Sequence, residues 1–403
     1  MVRTARKPLF AACLSLAALL LTACGSIDGT PVAGELDVRT LAVGSYPVDK
    51  FSYPQDANGQ GALLEGFRMA DAVVPTVGID PSLTYGRGGR ATVGTEDATK
   101  VALAAPSRAV LDRNKLITAF AASGSDKVDE PGKPDPAGAT TITNMVLRFG
   151  NERTAKTAAS ELEDADFGVA PDLNKKLTLS QYPDSFIHWR PGVPTIGAFL
   201  PYKEFVISLF IQRPAADEKD LLEWVRKTFD AQVPVLAKFA PTPESNLPEL
   251  EVDPDNLLAR AVVTERGDGT PEPRTFAAYG GTKIVHSANN QGKIQQAVNE
   301  TGADGIATVD TASVIRTRDD AGATTLLDAL VADESDHYDS IGAPNDVPGA
   351  KCVQLNSKGD TETEYKNRCY VTYKRYIGVV SSDDEPEVRQ KIAAQYALLA
   401  NSL

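Results

Sequence analysis

The 403-residue chain repeats itself, and that repetition limits its fold more than any other feature. Val146-Leu147-Arg148-Phe149-Gly150-Asn151 matches Val314-Ile315-Arg316-Thr317-Arg318-Asp319. Both stretches read as a strand entering a helix. Ala155, Ala158 and Leu162 fall on the apolar face of one helix, and Ala323, Leu326 and Leu330 take the same steps on the other. Tyr202-Lys203-Glu204-Phe205-Val206 matches Tyr373-Lys374-Arg375-Tyr376-Ile377, each beginning a strand that precedes the closing helix of its half. A third match lays residues 119–126 over 297–304, each ending a short helix at a glycine, Gly124 or Gly302. Three matches in one order predict an internal duplication. Their spacing slips where the first half inserts a Pro/Gly/Asp-rich loop, residues 128–139.

The closing helices are legible alone. Asp217 caps the first, with Leu221, Leu222, Val225 and Phe229 as its apolar stripe, and Pro234 is expected to end or kink it. Asp384 caps the last, with Pro386 in the first turn and Val388, Ile392, Tyr396 and Leu399 at helical spacing. Each half then reads β-α-β-α-β-β-α. This pattern predicts an α+β fold of two similar lobes, each a mostly antiparallel sheet with helices packed on one face. The first lobe spans 35–240, with a strand at 36–41 and a helix at 61–74. A proline-rich surface linker with a short helical piece (256–263) covers 241–273, and the second lobe covers 274–403.

Ahead of the lobes, Arg3, Arg6 and Lys7 precede an apolar run over residues 9–21 and then Leu21-Thr22-Ala23-Cys24. A basic start, a short apolar core and small residues at a cut site mark an export signal, residues 1–23. The run is too short for a spanning helix, which needs roughly 20 residues. The tetrad resembles the lipobox of bacterial lipoproteins, which implies acylation of Cys24, a tether over 24–34 and anchoring on the extracytoplasmic face of the cell membrane. Forty-one basic against 54 acidic residues give a net charge of −13, more negative once the signal leaves. Such a surface repels nucleic acid and anionic headgroups, so the expected membrane contact is the lipid alone. Of four cysteines, Cys13 leaves with the signal and Cys24 is acylated. Cys352 and Cys369 remain as a pair in an exported chain and are expected to form one disulfide.

The lipobox, Gly44-Ser45-Tyr46-Pro47, Val314-Ile315-Arg316-Thr317-Arg318-Asp319, the late cysteine pair and Ala393-Ala394-Gln395-Tyr396-Ala397-Leu398-Leu399 together resemble an uncharacterised cell-envelope lipoprotein family of mycobacteria and related actinobacteria. The resemblance implies an envelope location and a two-lobed α+β fold. It carries no activity and no site residues.

No catalytic, metal or cofactor motif emerges. His188 reads as a strand position beside a core aromatic, and His286 as the polar face of a strand. His337 lies among Asp333, Glu334, Asp336 and Asp339, which have neither calcium-loop order nor a His-x-x-x-His pair, so they read as a solvated helix end. Gly86-Arg87-Gly88-Gly89-Arg90 offers amides and guanidinia to an anion, but no Walker pattern follows and it reads as a turn. The expected function is a non-catalytic binding protein with an unknown envelope ligand or partner. The alternatives are an envelope hydrolase built from scattered carboxylates, or a docking subunit of a membrane complex. If a ligand sits between the lobes, Tyr202 and Phe205 with Tyr373 and Tyr376 are the candidate ligand-facing residues. Their odd spacing in a strand would send one ring of each pair away from its core.

Overall fold

A computed structural model describes residues 36–129 and 136–402, and from Val38 onward they form one compact unit. Cys24, the export signal and the tether lie outside the described residues. The first lobe runs α1 (Gly61–Arg68), a 3-10 turn (Met69–Ala72), α2 (Thr76–Ile79), β1 (Tyr85–Ala91), α3 (Gly94–Ala102), α4 (Ser107–Arg113), β2 (Thr118–Ser125), β3 (Thr141–Arg148), α5 (Glu152–Phe167), β4 (Lys175–Leu177), β5 (Phe186–Trp189), β6 (Thr195–Tyr202), β7 (Phe205–Gln212) and α6 (Glu218–Lys238). The second runs β8 (Phe276–Gly280), α7 (Thr282–His286), α8 (Gln291–Thr301), β9 (Gly305–Val309), β10 (Ala312–Arg316), α9 (Asp320–Asp333), β11 (Tyr338–Ile341), β12 (Lys351–Leu355), β13 (Asn367–Tyr373), β14 (Tyr376–Ser382) and α10 (Glu385–Asn401). The molecule is α+β with two lobes, each built on a seven-stranded antiparallel sheet. The strand orders, β1-β2-β3-β7-β6-β5-β4 and β8-β9-β10-β14-β13-β12-β11, follow the same path.

The helices cover both faces of each sheet, not one. Alternation along β3 shows why. Met145 and Leu147 pack with Ala98 of α3, Leu111 of α4 and Leu162 of α5. Asn144, of opposite parity, points the other way and donates to Gln232 of α6 at 2.6 Å. A strand buried on both faces carries no clean apolar–polar alternation, so the pattern hid the second helical layer. The second lobe is alike. Ile315 and Ile377 join the cluster under α7, α8 and α9, while Gly378 lies against Gln395 of α10, where a Cβ would meet its Cγ at 2.4 Å.

The strand-to-helix match holds in both lobes. β3 enters α5 and β10 enters α9, capped by Asn151 accepting from Thr154 N–H and by Asp319 accepting from Gly322 N–H. Asp217 and Asp384 cap α6 and α10 as expected. Pro234 does not end α6, which continues to Lys238. The match of residues 119–126 with 297–304 fails. Residues 118–125 are strand β2, and only the second stretch ends a helix, at Gly302 with φ of 62°. The left-handed residue after α4 is Lys115 (φ 53°), which is why a search for glycine chose the wrong position. The strand expected at 36–41 is a 3-10 turn over Val38–Thr40.

Two buried glutamines repeat one device. Gln232 of α6 accepts from Val74 N–H at 3.0 Å and donates to Ala72 C=O at 2.7 Å. Gln395 of α10 accepts from Val262 N–H at 2.9 Å and donates to Arg260 C=O at 2.7 Å. Each clamps the extended residues after a 3-10 turn that leads into its lobe. Unpaired, those backbone groups would each cost roughly 1–3 kcal/mol.

Candidate functional site

The lobes meet through α7 and the start of α8, which press on β1 and the turns beside α1. His286, fully buried, meets Ala70 C=O through Nε2 at 3.1 Å and packs on the Phe120 ring at 5.2 Å. Burial lowers its pKa to about 4, so it is neutral and Nε2 carries the proton it donates. The strand reading of His286 is therefore corrected to a helix residue in the lobe joint. Gln291 accepts from Thr76 Oγ1 at 2.9 Å, Gly86 N–H donates to Asn289 C=O at 3.1 Å, and Asp71 accepts from Thr282 N–H at 3.1 Å. The glycines of the Gly86–Arg90 stretch permit this approach. A Cβ on Gly86 would lie 2.2 Å from Ala288 C=O, and one on Gly89 would lie 3.0 Å from His286 Cβ. The stretch is not a free turn but part of β1, with a bulge between Gly86 and Gly89.

Two cavities flank the joint, and Tyr279 lines both. Its ring packs 4.7 Å from Phe67, and its hydroxyl donates to Pro273 C=O at 3.1 Å. On one side is a groove of about 630 Å³ walled by Leu64, Phe67, Phe239 and Val252 with an acidic rim. Its charges are mostly paired within the protein. Asp255 and Asp304 both bind Arg316, at 3.0 and 2.7 Å, and Asp71 caps α7. On the other side is a cleft of about 590 Å³ whose wall holds Arg87, Arg90, Arg274 and Lys283 and, among the described residues, no carboxylate.

The four cations differ. Arg90 forms a bidentate pair with Asp97 at 2.7 Å, and Arg87 is paired with Asp129. Arg274 is exposed, and its charge helps lower the Asp97 pKa, after the Arg90 hydrogen bond. Lys283 has no carboxylate within ion-pair distance among the described residues. Its ammonium donates to Ser287 Oγ at 2.6 Å and lies 5.5 Å from the Tyr279 ring centre. Desolvation pushes its pKa down to about 8. Hydroxyls of Ser123, Ser287 and Thr308 complete the polar wall. Charged donors converging in a concavity are what recognition of a phosphate or carboxylate requires.

With this geometry in view, the comparisons with known proteins place the chain. Residues 52–252 match the N-terminal model, and residues 257–402 the C-terminal model, of a domain of unknown function, DUF7373. The chain belongs to the DUF7373 family. No curated protein matches it. Among solved structures it is similar to the extracellular domain of PknH from Mycobacterium tuberculosis, at 9% identity and a TM-score of 0.29, over 40% of this chain and 93% of that one. A likeness at that level carries no argument about function.

The DUF7373 chain places the sequence-derived candidates as follows. Cys352 and Cys369 face each other across β12 and β13 and form a disulfide. The four aromatics are not in one strand each. They flank two-residue turns, Tyr202 paired with Phe205 and Tyr373 with Tyr376, with left-handed backbone at Lys203 (φ 52°) and Lys374 (φ 49°). Phe205 is buried against Phe239, Tyr373 packs on Tyr396 at 5.4 Å, and Arg260 covers Tyr376. None of the four lines either cavity at the joint. His188 is a buried β5 residue between Glu163 and Asp166, and His337 meets Glu364 at 3.4 Å. No metal-binding group occurs among the described residues, and no helix among them is long and apolar enough to cross a membrane. Sequence reasoning noticed Arg87 and Arg90 but missed Arg274, Tyr279 and Lys283.

Proposed function

We propose that this protein is a lipid-anchored binding protein of the extracytoplasmic envelope, tethered through Cys24, and that its basic cleft holds a phosphate- or carboxylate-bearing ligand without transforming it. The observation that carries the reading is the cleft wall, with four cations and, among the described residues, no carboxylate, in a chain of net charge −13. An ammonium desolvated without a carboxylate beside it destabilises the empty fold, and a bound anion offsets that cost. The shared strand path, the paired hairpin lysines and the two glutamine clamps support descent from an internal duplication. Two such lobes leave a crevice at their junction. Calorimetric titration of the mature chain with sodium phosphate and with glutarate tests the reading. Saturable binding that weakens at least tenfold in Lys283→Met is expected. No saturable heat with either anion would sink it.

A second reading rests on the Lys283–Ser287 hydrogen bond, since a lysine of lowered pKa beside a serine hydroxyl is a base–nucleophile arrangement. Binding is the stronger reading because Ser287 ends the single turn of α7. The carbonyl end of a helix disfavours a developing oxyanion. Labelling of Ser287 by a fluorophosphonate, absent in Ser287→Ala, would reverse that preference.

A further inference from the structure

A second cavity adjoins the cleft on the far side of Lys283. A cavity of about 290 Å³ lies in the second lobe between α7, α9 and the sheet, and Ser287 and Ile306 line both spaces. Those two residues border both spaces, and the Lys283 ammonium stands beside them through the bond to Ser287. On the second-lobe side the apolar part of the wall is Ile284, Ala288, Ile315, Leu330 and Val379, and Asp310, Thr311, Ser313 and Ser381 line it as well. Of the charged groups there, all but the exposed Asp310 are engaged within the protein. Arg368 is paired with Glu334, and Asp333 accepts from Asn289 and Asn290 N–H at 2.8 Å each. What a ligand meets along the side walled by Ile284, Leu330 and Val379 is apolar contact.

We infer that the ligand is a single-chain anionic amphiphile, its phosphate or carboxylate held among Arg87, Arg90, Arg274 and Lys283 and its alkyl chain passing between Ser287 and Ile306 into the second lobe. The inference rests on the cleft reading above and adds the chain. At roughly 30 Å³ for each water-sized group, the inner cavity takes about eight to ten carbons. An acidic exterior keeps the protein off anionic membrane surfaces in general, while the cleft selects one anionic head whose tail has somewhere to go.

The test is calorimetry on the mature chain carrying Cys24→Ser, with inorganic phosphate, hexyl phosphate, decyl phosphate below its micellar concentration, and decyl maltoside. Each buried methylene is expected to tighten binding about threefold to fourfold, so decyl phosphate binds about 100-fold more tightly than hexyl phosphate. Leu330→Trp fills the inner cavity and is expected to abolish that gain while leaving inorganic phosphate binding unchanged. Val379→Phe does the same from the sheet side should the first variant melt early. If inorganic phosphate binds but chain length adds nothing, or the gain survives both variants, the alkyl assignment is wrong and the cleft reading stands. If decyl maltoside binds as tightly as decyl phosphate, or no phosphate probe binds, the cleft reading falls and this inference with it.

Discussion

Replacing Lys283 by Met separates what the residue costs the fold from what it does for a ligand. Burial lowers its pKa from the ordinary 10.5 to about 8. At about 1.4 kcal/mol per unit, that difference sets an upper limit of about 3.5 kcal/mol on the penalty of keeping the ammonium charged in the cleft without an anion. Partial exposure to the cleft screens it, leaving about 1–2 kcal/mol. Methionine keeps a stem of similar length, and the variant needs no buried charge. Lys283→Met is therefore expected to melt about 1–3 °C higher than the parent at pH 7. It should also lose tenfold or more in phosphate affinity, because a charge-assisted hydrogen bond contributes about 1.5–3 kcal/mol. The sign of the pH dependence follows. Below pH 8 both states carry the proton and the penalty is full. Between about 8 and 10.5 the unfolded chain holds more protons, so parent stability rises with pH, and in the variant this rise disappears. Anion affinity of the parent falls as pH climbs through 8. Scanning calorimetry from pH 6.5 to 10, with and without phosphate, reads all of this. A variant less stable than the parent at pH 7, or one whose melting still responds fully to phosphate, refutes the reasoning.

Three further outcomes are expected. Cys24→Ala abolishes incorporation of labelled fatty acid and releases the protein from the membrane fraction, and continued acylation would contradict the lipobox assignment. Loss of the disulfide in the Cys352→Ala, Cys369→Ala double variant lowers stability by about 3 kcal/mol in urea, from the 17-residue separation the bond closes, while two free thiols in non-reducing peptide maps of the native protein would overturn the pairing. Gln395→Leu strands the Val262 N–H and Arg260 C=O and costs about 2–4 kcal/mol, with Gln232→Leu alike in the other lobe, and denaturant midpoints unchanged from the parent would show the clamps to be idle.

The readable parts of this protein are those whose cause is local. Asp217 and Asp384 cap helices because a short carboxylate before an apolar stripe satisfies free N–H groups wherever it occurs. The strand-to-helix stretches at residues 146–151 and 314–319 are legible for the same reason. Cys352 and Cys369 are legible because an even pair in an exported chain has few alternatives. The hairpins at Tyr202 and Tyr373 were found as repeats but misread as single strands. The residue that turns each is a lysine with positive φ, and lysine gives no turn signal.

The candidate site lay beyond sequence because its parts are ordinary by themselves. Lys283 looks like the polar face of any short amphipathic segment, and Arg274 like any charged residue at the start of a lobe. Net charge pointed away from an anion site, since summing charge along the chain discards where each charge lies. Patterning and capping determined that there would be two sheets with helices and where most helices begin. Only the docking of α7 against β1 decided that Arg87 and Arg90 of one lobe would face Arg274 and Lys283 of the other. That contact depends on glycines leaving room and on His286 being buried neutral. The pKa of Lys283 likewise belongs to no residue type, because its desolvation exists only in the folded chain.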